Sequence, residues 1–397
     1  MMTRKILLTI AFIASASTLN FTMKTISSHS LSREQLDALR RHPQIAAWRR
    51  SKRQAPAWTF QLLHDYYDEF YLGTVTFGNP GQELWLAMDT GSSIIWVIDD
   101  ACNTAECNGY PKSGLNKRKF RKDLSRTFAS MNRSFIIHYH TGWTSGIAAQ
   151  DTVRFGGYAL LSQPFGVANK LAPFLARIPI EGVFGLGLPS KTASGNLRSP
   201  MEALVPYLTL KLITVWMNRK IEISKGGDGG YITYGKIDDV NCQQTWNYVP
   251  LSSQTHWKVP MQGFAMSSYR YRRNNDQALV DTGSSYISVP KAVLEAIARF
   301  TGARYSAING VYTVPCTSMW TLPDILFQMN GIQYSVPSAQ YVIDMGLGDR
   351  CVLAFYPIDY DTHLGISWIL GAPFIRAFCT IFDYGQRQLG FAVSIPR

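Results

Sequence analysis

The chain has 397 residues, 46% apolar and 17% charged, which is long enough for two cores and too apolar for a disordered or fibrous protein. Its formal charge of +12 would suit a nucleic-acid binder, but residues 1–53 alone hold ten Lys/Arg against two Asp/Glu. Without them the totals of 39 and 27 fall to 29 and 25, a net of +4, so the excess is a local arm and no nucleic-acid partner is expected.

The first elements in chain order are not part of the core. Residues 1–16 have the form of a secretory signal: Arg4 and Lys5, an apolar run from Ile6 to Ala14, then Ala14-Ser15-Ala16 for cleavage. That run is shorter than the roughly 18–20 residues of a membrane span, so no membrane association is expected. Delivery through the secretory pathway follows, to the exterior, a lysosome or a gut lumen. Residues 17–53 read as a basic propeptide, with a short helix over Ser32 to Arg41 and two dibasic ends, Arg49-Arg50 and Lys52-Arg53. Its cations would pair with acidic groups at neutral pH and release them in acid, making the segment the protein's own inhibitor.

From residue 54 on, the composition changes. Tyr, Phe, Val, Ile and Thr alternate with turn pairs such as Asn79-Pro80, Gly156-Gly157, Asn309-Gly310 and Asn330-Gly331, predicting an all-β fold of short strands. One string occurs twice, 192 positions apart: Asp89-Thr90-Gly91-Ser92-Ser93 and Asp281-Thr282-Gly283-Ser284-Ser285. Each copy is preceded by an apolar strand-like run (Leu84 to Met88; Ala278 to Val280) and followed by another (Ile94 to Ile98; Tyr286 to Val289). Duplication of a whole unit explains this, with lobes at 54–228 and 229–397 that meet near 217–235. A lone Asp-Thr-Gly is an ordinary turn; two in matching strand contexts place one carboxyl on each of two loop tips.

Two carboxyls about 3 Å apart cannot both ionise. One then accepts a proton from a trapped water while the other donates to a carbonyl oxygen. Gly91 and Gly283 allow close approach, and the hydroxyls of Thr90, Ser92, Thr282 and Ser284 can orient the acids. Lys117 to Lys122 is a run of five cations around Phe120, read as a solvated loop. Asn132-Arg133-Ser134 is an acceptor sequon, predicting a glycan on Asn132. Six cysteines after a signal imply disulfides: Cys102 and Cys107 are near enough to close a small loop, and Cys242, Cys316, Cys351 and Cys379 allow three pairings. No Cys or His set has metal-ligand spacing, so no metal and no cofactor are expected.

With these residues in hand, the chain resembles the pepsin-like aspartic endopeptidases from about Tyr66 to Ala392. The resemblance implies a bilobal fold with a cleft between two β lobes, hydrolysis of internal peptide bonds in proteins or peptides, synthesis as a zymogen, and a monomer. Ile136 to Gly142 matches the family's flap, with Tyr139 at the flap tyrosine and Trp96 at the tryptophan that partners it. Glu181 to Gly187 and Trp368 to Gly371 look like the segments threaded behind each acidic loop.

By the same comparison Thr90 and Thr282 link the loops, and Ser92 and Ser284 bond the outer oxygens of Asp89 and Asp281. The implied bridges are Cys102–Cys107 and Cys316–Cys351, with Cys242–Cys379 resembling an extra pair of nematode members. Tyr139, His140, Thr141, Trp96, Phe174, Ile180 and Val183 would bind substrate, favouring bulky hydrophobic side chains on the acyl side. His140 stands where pepsin has glycine, Ala87 is smaller than usual, and Val289-Pro290 stands where Gly-Pro is usual. The alternatives are a catalytically silent peptide-binding or inhibitory homologue, and a glycosidase, whose carboxyls stand about 5 Å or more apart.

Overall fold

The computed structural model describes residues 58–396 apart from 111–113, 140–141, 190–196, 222 and 362. These lie in one compact unit, Pro56–Arg397. The signal, the propeptide, His140 and Thr141 fall outside the described residues. Strands dominate, as the turn-rich composition predicts.

The first half is built from β1 (Thr59–Tyr66), β2 (Phe70–Phe77), β3 (Gln82–Asp89), β4 (Ile95–Ile98), β5 (Ala129–Tyr139), β6 (Gly142–Phe155), β7 (Tyr158–Leu171) and β8 (Gly182–Gly185). Next come β9 (Leu212–Met217) and β10 (Lys225–Tyr234), the latter running through the expected lobe boundary at 228/229. All ten join a thirteen-stranded sheet that also takes in Asn247–Pro250, Phe378–Asp383 and Gln388–Val393 from the far end of the chain. The sheet therefore ties both halves together. A five-stranded and two four-stranded sheets complete the second half among the described residues.

β3 shows why the sequence folds this way. Leu84, Leu86 and Met88 alternate into the main core, leaving Trp85, Ala87 and Asp89 on the opposite face. That face packs on a second apolar cluster containing Leu72, Trp96, Ile180 and Val183.

The same motif is then built twice. β8 runs parallel to β3 and antiparallel to β4. In the second half, Trp368–Leu370 runs parallel to Gln277–Val280 and pairs antiparallel with Ile287–Pro290. Each threaded strand ends near a glycine with no room for a side chain. A Cβ on Gly185 would lie 2.4 Å from the Ile94 nitrogen, and one on Gly371 would lie 2.3 Å from the carbonyl oxygens of Ser284 and Tyr286.

Disulfides join Cys102 to Cys107, Cys242 to Cys379 and Cys316 to Cys351. The second closes a separation of 137 residues and anchors the loop around Cys242 to strand Phe378–Asp383. Constraining so long a loop is worth about 5 kcal/mol on the chain-entropy account.

The run from Lys117 to Lys122 is only in part the solvated loop expected: Arg118 and Arg121 are exposed, but other cations of the run are tied down. Lys117 is 7% exposed, and its ammonium donates to the carbonyl oxygens of Leu175 and, at 3.1 Å, Ile180. Arg118 pairs with Glu181 at 2.8 Å, and Lys122 with Asp99 at 2.7 Å, both acids being buried. Burial holds the Lys117 amine down to about 8. Lys117 and Arg118 thus tie their loop to residues 175–181, and Lys122 ties it to Asp99.

Candidate active site

Asp89 closes β3, and Asp281 follows Gln277–Val280 directly, so each acid emerges where a strand turns into its Thr-Gly-Ser-Ser loop. Two reciprocal bonds lock the loops together. The Thr90 amide donates to Thr282 Oγ1 at 3.0 Å, and the Thr282 amide donates to Thr90 Oγ1 at 3.0 Å. Each hydroxyl then donates beneath the opposite loop: Thr90 to the Val280 carbonyl at 3.1 Å, Thr282 to the Met88 carbonyl at 2.5 Å. All of these groups are buried, so each bond is protected from competition with water.

The lock brings the acids together. The Gly91 amide donates to Asp89 Oδ1 at 2.8 Å and also to Asp281 Oδ1 at 3.0 Å, so one N–H serves both inner oxygens. The Gly283 amide donates to Asp281 Oδ1 at 2.8 Å. The outer oxygens are held by Ser92, which donates to Asp89 Oδ2, and by Ser284, which donates to Asp281 Oδ2 at 2.7 Å. Asp89 and Asp281 are 6% and 9% exposed. Burial, then the neighbouring Asp281 charge, pushes the Asp89 carboxyl well above its ordinary value, with the Ser92 hydroxyl opposing. Two carboxyls this close and this buried cost more to ionise together than singly.

Both loop glycines are required by this packing. A Cβ on Gly91 would lie 2.8 Å from Asp281 Oδ2, and one on Gly283 would lie 2.5 Å from Asp89 Oδ1. Gly283→Ala is expected to displace the Asp89 carboxyl and lower kcat/KM about 100-fold, because misplacement of a reacting group by about an ångström has that cost. Steady-state kinetics on one peptide would measure it, and a loss under threefold would contradict this geometry.

Of the other predicted positions, the structure describes Tyr139, Trp96, Phe174, Ile180 and Val183. Tyr139, at the end of β5, accepts a 2.7 Å hydrogen bond from Trp96 Nε1. It packs, partly buried, on the second apolar cluster together with Phe70, Trp85 and Ala87. Ile180 and Val183 belong to that cluster and are 3% and 5% exposed, whereas Phe174, on the short helix Pro173–Arg177, is 41% exposed. Cys316, Asp344 and Cys351 form a group of metal-ligand types, but the two sulfurs are bonded to each other.

Sequence reasoning passed over a set of charged groups. Asp68, in the turn between β1 and β2, pairs with Arg219, and Arg376 donates to the Asp68 carbonyl at 2.6 Å. The next residue, Glu69, accepts a hydrogen bond from the Tyr286 hydroxyl, 217 residues away at the exit of the second acidic loop. An Asp-Glu pair in a turn gives no sign of such remote partners.

A family model described as eukaryotic aspartyl protease matches residues 70–394. The chain belongs to that family and is an aspartic endopeptidase with the bilobal pepsin-like fold. It is 42% identical to Aspartic protease 1 of Caenorhabditis elegans over 341 residues, 85% of each chain. Aspartic protease 17 of the same organism is 42% identical over 84% of this chain and 85% of its own. Pepsin A of Rhinolophus ferrumequinum is 33% identical over 90% of this chain and 89% of its own.

Proposed function

We propose that Asp89 and Asp281 are the catalytic pair, acting on a water held between them to cut internal peptide bonds at acidic pH. The observation that carries this is the Gly91 amide shared by both inner oxygens. Asp281 takes a proton from the water as its oxygen attacks the carbonyl carbon, and Asp89, kept protonated by burial and by its neighbour, donates to the carbonyl oxygen. Transfer of a proton to the amide nitrogen then breaks the C–N bond, releasing an acid and an amine with no covalent enzyme intermediate.

The substrate is an extended protein or peptide segment lying between the lobes 54–228 and 229–397, held by backbone hydrogen bonds as in strand addition. Tyr139, His140, Thr141, Trp96, Phe174, Ile180 and Val183 bind it, and the apolar character of the cluster beside Asp89 favours bulky hydrophobic side chains on the acyl side. The protein is made as a zymogen and delivered by the secretory pathway, to the exterior, a lysosome or a gut lumen. Residues 1–16 serve as its signal and 17–53 as a basic, self-inhibiting propeptide. It acts as a monomer, without metal or cofactor. No helix among the described residues is long and apolar enough to cross a membrane. Asn132 carries a glycan; it is exposed on β5 with Ser134 exposed two positions on.

Hydrolysis of denatured globin at pH 3.5 by acid-treated protein tests the reading. Cleavage abolished by pepstatin is expected. Inactivity after confirmed loss of the propeptide would overturn it in favour of a silent homologue.

A further inference from the structure

The apolar cluster beside Asp89 has one wall that is a loop rather than a strand. Residues 172–180 link the end of β7 to β8, and Leu175, Ile178 and Ile180 are buried in that cluster, against which Tyr139 and Ala87 pack. Both ends of the loop are fixed by backbone bonds. The Ala172 amide donates to the Trp143 carbonyl of β6 at 2.9 Å, and the Glu181 amide donates to the Trp85 carbonyl of β3 at 3.0 Å. Glu181 adds its carboxylate: Oε2 accepts from the Trp85 amide at 2.7 Å, and Oε1 from the Arg118 amide at 2.9 Å.

The middle of the loop is closed by a side chain. Lys117 donates to the carbonyl oxygens of Leu175 and Ile180, and so ties the short helix Pro173–Arg177 to the residue that precedes Glu181. Lys117 is buried and forms no ion pair among the described residues. Burying an ammonium is costly, and its charge, kept below about pH 8, is directed at two carbonyls instead of an acid. Bonds from a charged donor are about twice as strong as neutral ones, which suits the group to holding a loop in place.

We propose that Lys117 is a positioning residue for substrate selection, which acts through the loop 175–180 to set how far Ile180 reaches into the apolar pocket. This rests on the endopeptidase and pocket readings above. Lys117 itself meets no substrate. Without its ammonium the two carbonyls turn to other donors, because a buried carbonyl left unpaired is unfavourable, and Ile180 moves with its own carbonyl. A shift that removes about one methylene of contact lowers discrimination for a bulky side chain roughly tenfold.

Two peptides that differ only in Phe or Ala immediately before the cleaved bond test this, through their ratio of kcat/KM at pH 3.5. The ratio cancels the fraction of enzyme that is active, so a merely structural loss does not move it. The unaltered enzyme is expected to prefer Phe. Lys117→Met, which keeps chain length without the ammonium, is expected to lower the ratio about tenfold. Lys117→Arg, which keeps a charged donor, is expected to hold it within about threefold, and Lys122→Met, whose partner is Asp99, to leave it unchanged. Lys117→Gln, with a polar head too short to reach both carbonyls, is expected to lower it about fivefold and serves if the Met variant does not fold. An unchanged ratio in Lys117→Met or Lys117→Gln, a fall that Lys117→Arg does not relieve, or an equal fall in Lys122→Met overturns the role of Lys117. No preference for Phe in the unaltered enzyme would instead overturn the pocket reading, and this role with it.

Discussion

Asp89→Asn and Asp281→Asn are each expected to lower kcat/KM by about 10,000-fold or more on any peptide the enzyme cuts, because each deletes one half of a coupled acid–base pair. The substitution keeps shape and most hydrogen bonds: an Asn at 281 still accepts from the amides of Gly91 and Gly283. What is lost is the proton that the pair shares. Asp89→Asn leaves no acid to protonate the carbonyl oxygen, and Asp281→Asn leaves no base for the water. The two variants are expected to fold, since the reciprocal Thr90–Thr282 bonds that join the loops do not involve the carboxyls. Near-normal activity in either variant, assayed with the propeptide removed, would mean that the catalytic acids lie elsewhere.

Stability is expected to fall as pH rises from 4 to 8. Burial pushes Asp65 up to about 6 from 3.8, and Glu69 up to about 7 from 4.5. For a carboxyl whose folded value is raised, the favoured neutral form is fully retained below the unfolded value, and its stabilisation is lost as pH climbs through the folded value. The window is therefore about pH 4 to 7. The two shifts of roughly two units correspond to about 3 kcal/mol each.

Asp65 has a clear structural reason to resist ionisation: it is fully buried, and its Oδ2 has no hydrogen-bond partner. For a chain of this size the combined effect is a drop in Tm of roughly 5–10 °C between pH 4 and 8. Asp65→Asn, which can still accept from the Asp68 amide, is expected to remove part of that drop, Glu69 and Asp89 supplying the rest. Thermal melts across this range decide it. A Tm that is flat or rises with pH, or an unchanged slope in Asp65→Asn, would show that these carboxyls ionise freely in the folded protein.

Both predictions bear on what can be read from a sequence. The two Asp-Thr-Gly-Ser-Ser strings were legible because an exact repeat in matching strand contexts needs no partner to be recognised, and the structure sets the two loops face to face. The strands around them were legible from alternation, as in β3. The cation run from Lys117 to Lys122 misled because charge density along a chain does not reveal that Glu181 and Asp99 meet Arg118 and Lys122 in space. Nor does it reveal that Lys117 reaches the carbonyls of Leu175 and Ile180. Glu69 and Tyr286 were invisible for a related reason: each looks like a turn or strand residue locally, and the pair exists only once both halves have folded.

Combining the two Asn substitutions gives the most direct test of the central claim, that the two carboxyls work as one unit. With kcat/KM measured for the unaltered enzyme, each single variant and the double variant on one peptide at the acidic optimum, the double is predicted to be no worse than either single. Losses that multiply in the double variant, or a single variant that keeps substantial activity, would contradict a shared proton and a shared water.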